Sequence, residues 1–368
     1  MKSGDIEFKR IAVKVGSNVI TKADGDLDTW RISKLVEDLF ILYKKGIEVI
    51  LISSGAVAAG RNEVSPTKKT SIVAAKQVWA AIGQAKLISC YQYFFGKYGI
   101  PAGQVLATKD SFRDRLHYLN MKGCISAMLE NKVLPILNEN DTVSVNELMF
   151  TDNDELSGLI ASIMDCDSLF ILTNVDGVYR GDPGAEGADL IKEIDTNAVD
   201  HHKFISPNRS SSGRGGMITK YKTARKVARE GINVFIANGS RESVLSSIVN
   251  GKDVPFTRFL PGDARASDIK KWISNSQTFA MGSVTVNEGA KKALLGEKAS
   301  SLLMIGITSV EGYFRKGDII NILDDSGSTI GMGKSEYDSN RAIISMGQKM
   351  KEPLIHYNYL VVNEKNGV

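Results

Sequence analysis

Cysteine and histidine are scarce in this 368-residue sequence, and their scarcity excludes several kinds of site. The three cysteines, Cys90, Cys124 and Cys166, are far apart and form no CxxC pair, so the sequence predicts neither a zinc site nor a disulfide framework. Two of the four histidines, His201 and His202, are adjacent and have no partners at zinc-ligand spacing. A GxSxG motif is absent as well. We expect reduced, mostly buried thiols and no metal site formed by protein ligands alone.

Long apolar runs and a large excess of one charge are also absent. No stretch approaches the roughly 18 apolar residues of a membrane span, and residues 1–7 carry acidic groups where a signal peptide needs an apolar run. The net charge of +4 is too small to indicate a nucleic-acid carrier, and residues 257–368 hold 14 basic and 12 acidic residues, a surplus of only 14 − 12 = 2. We therefore expect a cytoplasmic protein with no membrane partner.

Short apolar runs alternate with longer amphipathic segments through the first 250 residues. The runs are nearly continuous in apolar residues, as in strands buried on both faces of a parallel sheet, and they occupy 11–15, 49–53, 133–137, 168–172 and 234–237. The segments predicted to be helical are 29–45, 70–98, 153–165 and 217–230. This alternation predicts an α/β fold, a three-layer αβα sandwich with a mainly parallel sheet.

The pattern changes near residue 252, where Pro255 and Pro261 interrupt the chain. From Gly282 onward, short alternating runs and turns are typical of a small, mostly β domain. We predict a first domain over residues 1–257, a linker over 258–276, a β-rich domain over 277–357 and a tail over 358–368.

The ends of the first two predicted strands carry residues suited to anions. Ligands of open parallel sheets collect beyond the carboxyl ends of the strands. Lys14 lies inside an apolar run, which is costly unless its ammonium reaches the strand end and meets an anion, and Gly16 allows close approach of the backbone. Ser54, before a predicted helix, offers a hydroxyl and free amides to a carboxylate or phosphate. The alternatives are a lysine that snorkels from an edge strand and a plain N-cap.

Three later clusters are polar. Residues 138–141 and 152–154 predict recognition of an amino group or a metal-nucleotide, although a turn and an N-cap explain either cluster alone. The loop 173–179 could close over a nucleotide base or be an ordinary turn. In residues 210–220, small residues together with Arg214 and Lys220 predict a polyphosphate site, with a flexible linker as the alternative.

Five motifs in one order carry a resemblance to a known family. They are Lys14-Val-Gly-Ser, Ile52-Ser-Ser-Gly-Ala, Asn138-Glu-Asn-Asp, Asp152-Asn-Asp and Gly215-Gly-Met-Ile-Thr-Lys220. In this order and spacing they resemble the amino acid kinase family over nearly the whole chain, and residues 277–357 resemble a PUA domain. The resemblance implies that ATP, with Mg²⁺ bound to it, phosphorylates the 5-carboxylate of L-glutamate to L-glutamyl 5-phosphate, the first step of proline biosynthesis.

The resemblance also assigns roles to residues. Lys14 and Lys220 would flank the transferring phosphoryl group, and Asp154 would orient them. Glutamate would be held by Ser54, Asp141 and Asn153. ATP would be held by Lys14, Thr173, Asn174, Arg214, Gly215, Gly216, Met217, Ile218, Thr219 and Lys220. Asn174 departs from the aspartate that is common at this point in relatives.

Inhibition by proline at a site that overlaps glutamate, and assembly as a homodimer or homotetramer, are further implications of the resemblance. Two alternatives stay open at this point. One is another kinase of the same fold that acts on a different acid or phosphate, and the other is an RNA-binding protein, since PUA domains elsewhere contact RNA. The small surplus of basic residues after position 257 argues against a nucleic-acid partner.

Overall fold

The computed structural model describes residues 6–67, 69–112, 115–143, 153–184, 187–196, 216–262, 273, 280–296 and 300–362. The chain divides into two compact units, one of residues 1–111 with 119–265 and one of residues 112–118 with 266–368. None of the helices in the described ranges combines the length and the apolar character that crossing a membrane requires.

The strands of the larger unit are β1 Arg10–Val15, β2 Glu48–Ile52, β3 Ala102–Ala107, β4 Leu134–Glu139, β5 Ser168–Thr173, β6 Tyr179–Arg180, β7 Asp189–Leu190, β8 Glu193–Asp195, β9 Asn233–Asn238 and β10 Phe256–Leu260. The helices are α1 Ser17–Ile20, α2 Thr29–Lys44, α3 Ala56–Arg61, α4 Ile72–Gly96, α5 Arg115–Glu130, α6 Asn153–Ile163, α7 Met217–Arg229 and α8 Val244–Val249, with a 3₁₀ turn at Lys109–Phe112. All five strands and all four helices predicted from the sequence are confirmed, with bounds that agree within two residues.

Eight of these strands form one sheet in the order β3-β4-β2-β1-β5-β9-β10-β8. The six from β3 to β9 run parallel, whereas β10 is antiparallel to β9 and β8 is parallel to β10. β6 and β7 pair separately as a two-stranded antiparallel ribbon. The prediction of a large, mainly parallel α/β sheet is therefore confirmed.

The faces of the sheet are set by the alternation of side chains along each strand. On β1, Ile11, Val13 and Val15 join one apolar core with residues of α2, α4 and α8. Ala12 and Lys14 alternate with them and so point to the opposite face, where α6 packs on β1 and β5 and α7 packs on β9. This alternation places the Lys14 ammonium on the same side of the sheet as the start of α6.

β10 extends the sheet into residues 258–260, which were predicted to belong to the linker. Phe256 to Phe259 pair with β9, and Arg258 to Leu260 pair with β8, so residues 258–260 belong to the sheet. The strand was not predicted because it follows Pro255 and mixes Thr257 and Arg258 with apolar residues. An antiparallel strand near the edge of the sheet tolerates this composition better than a central parallel strand does.

The smaller unit is mostly β, as predicted. It contains β11 Gly282–Val286, β12 Ile307–Gly312, β13 Ile319–Leu323, β14 Thr329–Lys334 and β15 Leu360–Val362, together with α9 Glu288–Leu294, α10 Ser339–Ser345 and 3₁₀ turns at Met304–Gly306 and Tyr357–Tyr359. The strands form one sheet in the order β12-β11-β13-β14-β15. Its core is apolar and includes Val284, Phe314, Ile320 and Ile355.

Candidate active site

The carboxyl ends of β1, β2, β4 and β5 meet at one edge of the sheet because these strands are parallel neighbours. A cavity of about 760 Å³ opens at this edge. Eight residues predicted for the site line it, namely Lys14, Ser54, Asp141, Asn153, Asp154, Thr173, Asn174 and Lys220. The structure therefore brings together residues that are up to 206 positions apart in the sequence (220 − 14 = 206).

Asp154 lies between two lysines at the floor of this cavity. Its carboxylate is fully buried, with Oδ1 2.5 Å from Lys14 Nζ and Oδ2 3.0 Å from Lys220 Nζ. The lysines themselves are only 4% and 8% exposed. Burial alone would raise the pKa of Asp154, but the two ammonium groups favour the charged form and hold the pKa below its usual value. The centre is therefore a carboxylate that orients two cations toward the cavity.

The local sequence explains why these three groups converge. Asp154 is the second residue of α6, where the free amides of a helix start favour a negative charge. Lys220 lies in the first turn of α7, which packs against α6. Gly158 allows that approach, since a Cβ there would lie only 2.9 Å from Val227 Cγ2 and 3.0 Å from Thr223 Cγ2. A larger residue at 158 would separate Asp154 from Lys220.

Hydrogen bonds connect the polar side chains at the ends of β2, β4 and α6. The Asn153 Nδ2 group donates toward Ser54 Oγ at 3.0 Å, Asn138 Oδ1 at 3.0 Å and the Ser53 carbonyl at 3.2 Å. Asn153 Oδ1 is buried and has no hydrogen-bond partner among the described residues. An unsatisfied buried acceptor on a cavity wall is suited to a ligand that carries an N–H donor, such as an ammonium group.

Two glycines shape the backbone at the strand ends. Gly55 is the N-cap of α3 and has a φ of +94°, a conformation that other residues adopt only with strain. Gly16 lines the cavity, and its amide donates to the Leu172 carbonyl of β5 at 3.1 Å. A Cβ on Gly16 would lie 3.3 Å from the same carbonyl, which means that this glycine permits close packing of the two strand ends.

The loop after β5 is anchored from two directions. The Gly239 amide donates to the Thr173 carbonyl at 2.8 Å. Arg241 forms a bidentate pair with Asp176, with contacts of 2.6 and 2.8 Å, and its hydrogen bond lowers the pKa of Asp176. Thr173 and Asn174 are therefore held at the cavity by neighbours that lie just outside it.

The predicted polyphosphate segment is only partly described. Arg214 and Gly215 lie outside the described residues. Gly216 is the N-cap of α7, and Met217, Ile218 and Thr219 begin its first turn. Within the described part of this segment, residues 216–220, only Lys220 is among the residues that line the cavity.

Three further cations on the cavity wall, Lys22, Arg61 and Lys76, were not predicted as site residues. Arg61 ends α3, and its guanidinium lies 5.0 Å from the centre of the Trp79 ring. The position of Arg61 one short helix after Ser54 is the only signal in the sequence that could have indicated it. The cavity thus carries more positive charge than the two predicted lysines supply, as a site for an anionic ligand requires.

Comparison with known proteins now decides the family. The model described as "Amino acid kinase family" matches residues 9–238, well over half of the chain, and the PUA domain model matches residues 282–356. The chain belongs to the amino acid kinase family. This confirms the resemblance that the five motifs indicated.

Among similar proteins, this amino acid kinase is 52% identical to the glutamate 5-kinase of Bacteroides thetaiotaomicron, over 97% of this chain and 99% of the relative. It is 46% identical to the glutamate 5-kinase of Chlorobaculum tepidum, over 96% and 97% of the two chains. A solved isopentenyl phosphate kinase substrate complex aligns with 68% of this chain and all of its own, with a TM-score of 0.51 and 18% identity. That structure shares the fold, and its low identity carries no inference about substrate.

Proposed function

We propose that this kinase transfers the γ-phosphoryl group of ATP to the 5-carboxylate of L-glutamate and forms ADP and L-glutamyl 5-phosphate. The observation that carries the proposal is the Lys14–Asp154–Lys220 centre at the floor of the cavity. Relatives named glutamate 5-kinase that align over almost the full length of both chains support the choice of acceptor. In a cell, this reaction would open proline biosynthesis.

The chemistry of the centre suits transfer between two anions. A carboxylate is already a nucleophile, so the reaction needs no general base, and phosphoryl transfer depends chiefly on positioning and charge neutralisation. Lys14 on β1 and Lys220 on α7 approach from different elements, and so one ammonium can neutralise charge on the acceptor side while the other neutralises charge on the donor side. Asp154 holds both ammonium groups in place.

The polar residues around Asn153 are suited to glutamate. Ser54 Oγ accepts a hydrogen bond from Asn153, which leaves its own proton free to donate to a carboxylate of the substrate. Asn153 Oδ1 offers an acceptor to the substrate ammonium, and Asp141 offers a negative charge on the same wall. Together these residues match a small zwitterion with a second carboxylate.

ATP would occupy the part of the cavity near Thr173, Asn174 and the start of α7, with Arg214–Lys220 around its phosphates. No group of three or more His, Cys, Asp or Glu in the described ranges is arranged to hold a metal ion, and both oxygens of Asp154 already face lysines. This donor set fits Mg²⁺ that arrives on the nucleotide phosphates. When bound, the ion would neutralise charge on the β- and γ-phosphates.

Lys14→Ala and Lys220→Ala are each expected to lower kcat by about 10²-fold or more, as for the loss of a preorganised charge donor. Steady-state kinetics with saturating ATP and glutamate measures the effect, and circular dichroism checks folding. Lys192→Ala, which removes a lysine outside the cavity lining, is the control and should retain kcat. A folded variant with wild-type kcat would remove that lysine from the mechanism.

Asp141→Asn is expected to raise the KM for glutamate about tenfold or more while the KM for ATP changes less than twofold, because the lost charge would face the substrate ammonium. The two KM values are measured separately at saturating co-substrate. Asp189→Asn neutralises an exposed carboxylate on β7 and should change neither KM. Equal increases in both KM values would contradict the placement of Asp141 beside glutamate.

A substrate panel tests the proposed function against other kinases of this fold. ADP release is measured with ATP, Mg²⁺ and, in turn, L-glutamate, N-acetyl-L-glutamate, L-aspartate and uridine monophosphate. We expect kcat/KM for L-glutamate to exceed the others at least a hundredfold. Turnover of another acceptor without turnover of L-glutamate would replace the proposed substrate.

Proline inhibition, assembly as a homodimer or homotetramer, and the cytoplasmic location belong to the same proposal. So does the division into a kinase domain, a linker and a β-rich domain, with β10 now counted in the kinase domain and β15 in the β-rich domain. Proline is a small zwitterion like glutamate, so it could use the same acceptor on Asn153. Addition of proline to the glutamate assay at varied glutamate concentrations tests this part, and an increase in the KM for glutamate is the expected pattern.

A further inference from the structure

A row of side-chain amides runs from the interior of α4 to the cavity wall. Gln84 on α4 is 9% exposed and lies behind the wall, where its Oε1 accepts from Asn138 Nδ2 at 2.7 Å. Asn138 Oδ1 in turn accepts from Asn153 Nδ2 at 3.0 Å. Asn138 and Asn153 line the cavity, whereas Gln84 is not among the lining residues.

The backbone fixes the direction of every hydrogen bond in this row. The Glu139 amide can only donate, and it lies 2.9 Å from Asn138 Oδ1, so this atom is the oxygen and the Nδ2 group of Asn138 faces Gln84. The oxygen of Asn138 then requires a donor from Asn153. The Ser53 carbonyl, 3.2 Å from Asn153 Nδ2, requires a donor from Asn153 as well. Asn153 therefore turns its oxygen away from both.

The result is a defined acceptor on the cavity wall. Asn153 Oδ1 is buried and lacks a partner among the described residues, as noted above. Were the amide of Asn153 reversed, two N–H groups would face a substrate ammonium, and the oxygen would face the Asn138 oxygen and the Ser53 carbonyl. The first contact would set donors against a donor, and the second would set an acceptor against acceptors. Neither contact can form a hydrogen bond, which costs free energy.

We propose that Gln84 is a positioning residue for the amino acid substrate. It holds Asn138, and through Asn138 it holds Asn153 with its oxygen available for the substrate ammonium. The inference rests on the glutamate 5-kinase activity proposed above and adds a residue that none of the sequence motifs contains. Without the Gln84 oxygen, the Asn138 amide loses its buried acceptor and Asn153 loses its fixed partner.

The test compares Gln84→Met, which keeps the length of the side chain and removes the acceptor, with Gln84→Glu, which keeps an acceptor oxygen. Gln84→Met is expected to raise the KM for glutamate about tenfold, the effect of one lost buried hydrogen bond, with the KM for ATP within twofold of wild type. Gln84→Glu should restore the KM for glutamate to within threefold. Gln92→Met changes another glutamine on α4, one that bonds the Ala102 carbonyl, and should leave both KM values unchanged.

The outcomes separate this inference from the proposed function. If the wild-type enzyme phosphorylates another amino acid but not glutamate, the proposed substrate is wrong. The KM for that other amino acid in Gln84→Met then tests the role of Gln84. Wild-type turnover of glutamate with an unchanged KM in Gln84→Met, or with both KM values raised equally, would overturn the role of Gln84. If Gln84→Met does not fold, Gln84→Asn withdraws the acceptor by one methylene and is expected to raise the same KM.

Discussion

Asp154→Asn is expected to lower kcat by about 10²- to 10³-fold, because both lysines of the centre contact its carboxylate. The carboxylate offers one oxygen to each of two buried ammonium groups, whereas an amide offers one oxygen and one N–H group. One lysine would lose its partner and would face a donor instead. The measured quantity is kcat at saturating ATP and glutamate, since both lysines are proposed to act on the transferring group.

Glu155→Gln provides a matched control for this result, because it neutralises the next residue of the same helix. Glu155 pairs with Lys109 at 3.8 Å and is not among the residues that line the cavity. We expect kcat within threefold of wild type for Glu155→Gln. An Asp154→Asn variant that is folded and retains more than a tenth of wild-type kcat would show that the lysines do not depend on Asp154.

Gly83→Ala is expected to destabilise the protein by about 2–3 kcal/mol, the upper part of the range found for overpacking in a core. An ideal Cβ at this position would lie 1.8 Å from the Ala56 carbonyl oxygen, and a Cβ on Gly60 would lie 1.9 Å from the Trp79 carbonyl oxygen. Backbone atoms of α3 and α4 therefore meet directly, and no side chain can move aside. Thermal unfolding should show a lower midpoint, by about 5 °C or more.

The same substitution should also impair the site, because Ala56 directly follows Ser54 and Gly55 at the cavity. A shift of α3 would carry Ser54 with it, and we expect a higher KM for glutamate in Gly83→Ala. Gly96→Ala is the control on the same helix: its Cβ would find no atom within 4 Å, and alanine favours a helix more than glycine does. Equal midpoints for Gly83→Ala and Gly96→Ala would contradict the close contact.

The central sheet was predictable because its strands are buried on both faces and read as continuous apolar runs, as in Phe170-Ile171-Leu172. β3 escaped prediction, since Gly103 and Gln104 interrupt its apolar pattern. β10 escaped as well, because an antiparallel strand with Thr257 and Arg258 lacks that pattern. The hydrophobic periodicity and composition of a segment indicate how its residues are buried. A strand with both buried and exposed residues on one face therefore has a weaker pattern in the sequence.

Many residues that line the cavity were predicted from the sequence, but the contacts between them were not. Lys14 was visible as a charge within an apolar run, and Lys220 as a charge after a glycine-rich segment. That both lysines share the carboxylate of Asp154 depends on how α6 and α7 pack, which Gly158 permits and no motif states. Gln84 gave no signal, because a buried polar residue on an apolar helix becomes meaningful only when its partner is seen.

The most direct test of phosphoryl transfer to a carboxylate is trapping of the acyl phosphate with hydroxylamine. Wild-type enzyme with ATP, Mg²⁺, L-glutamate and hydroxylamine should form glutamyl hydroxamate in amounts that match ADP release, and Asp154→Asn should form almost none. ADP release without glutamate-dependent hydroxamate would contradict transfer to the 5-carboxylate at the Lys14–Asp154–Lys220 centre.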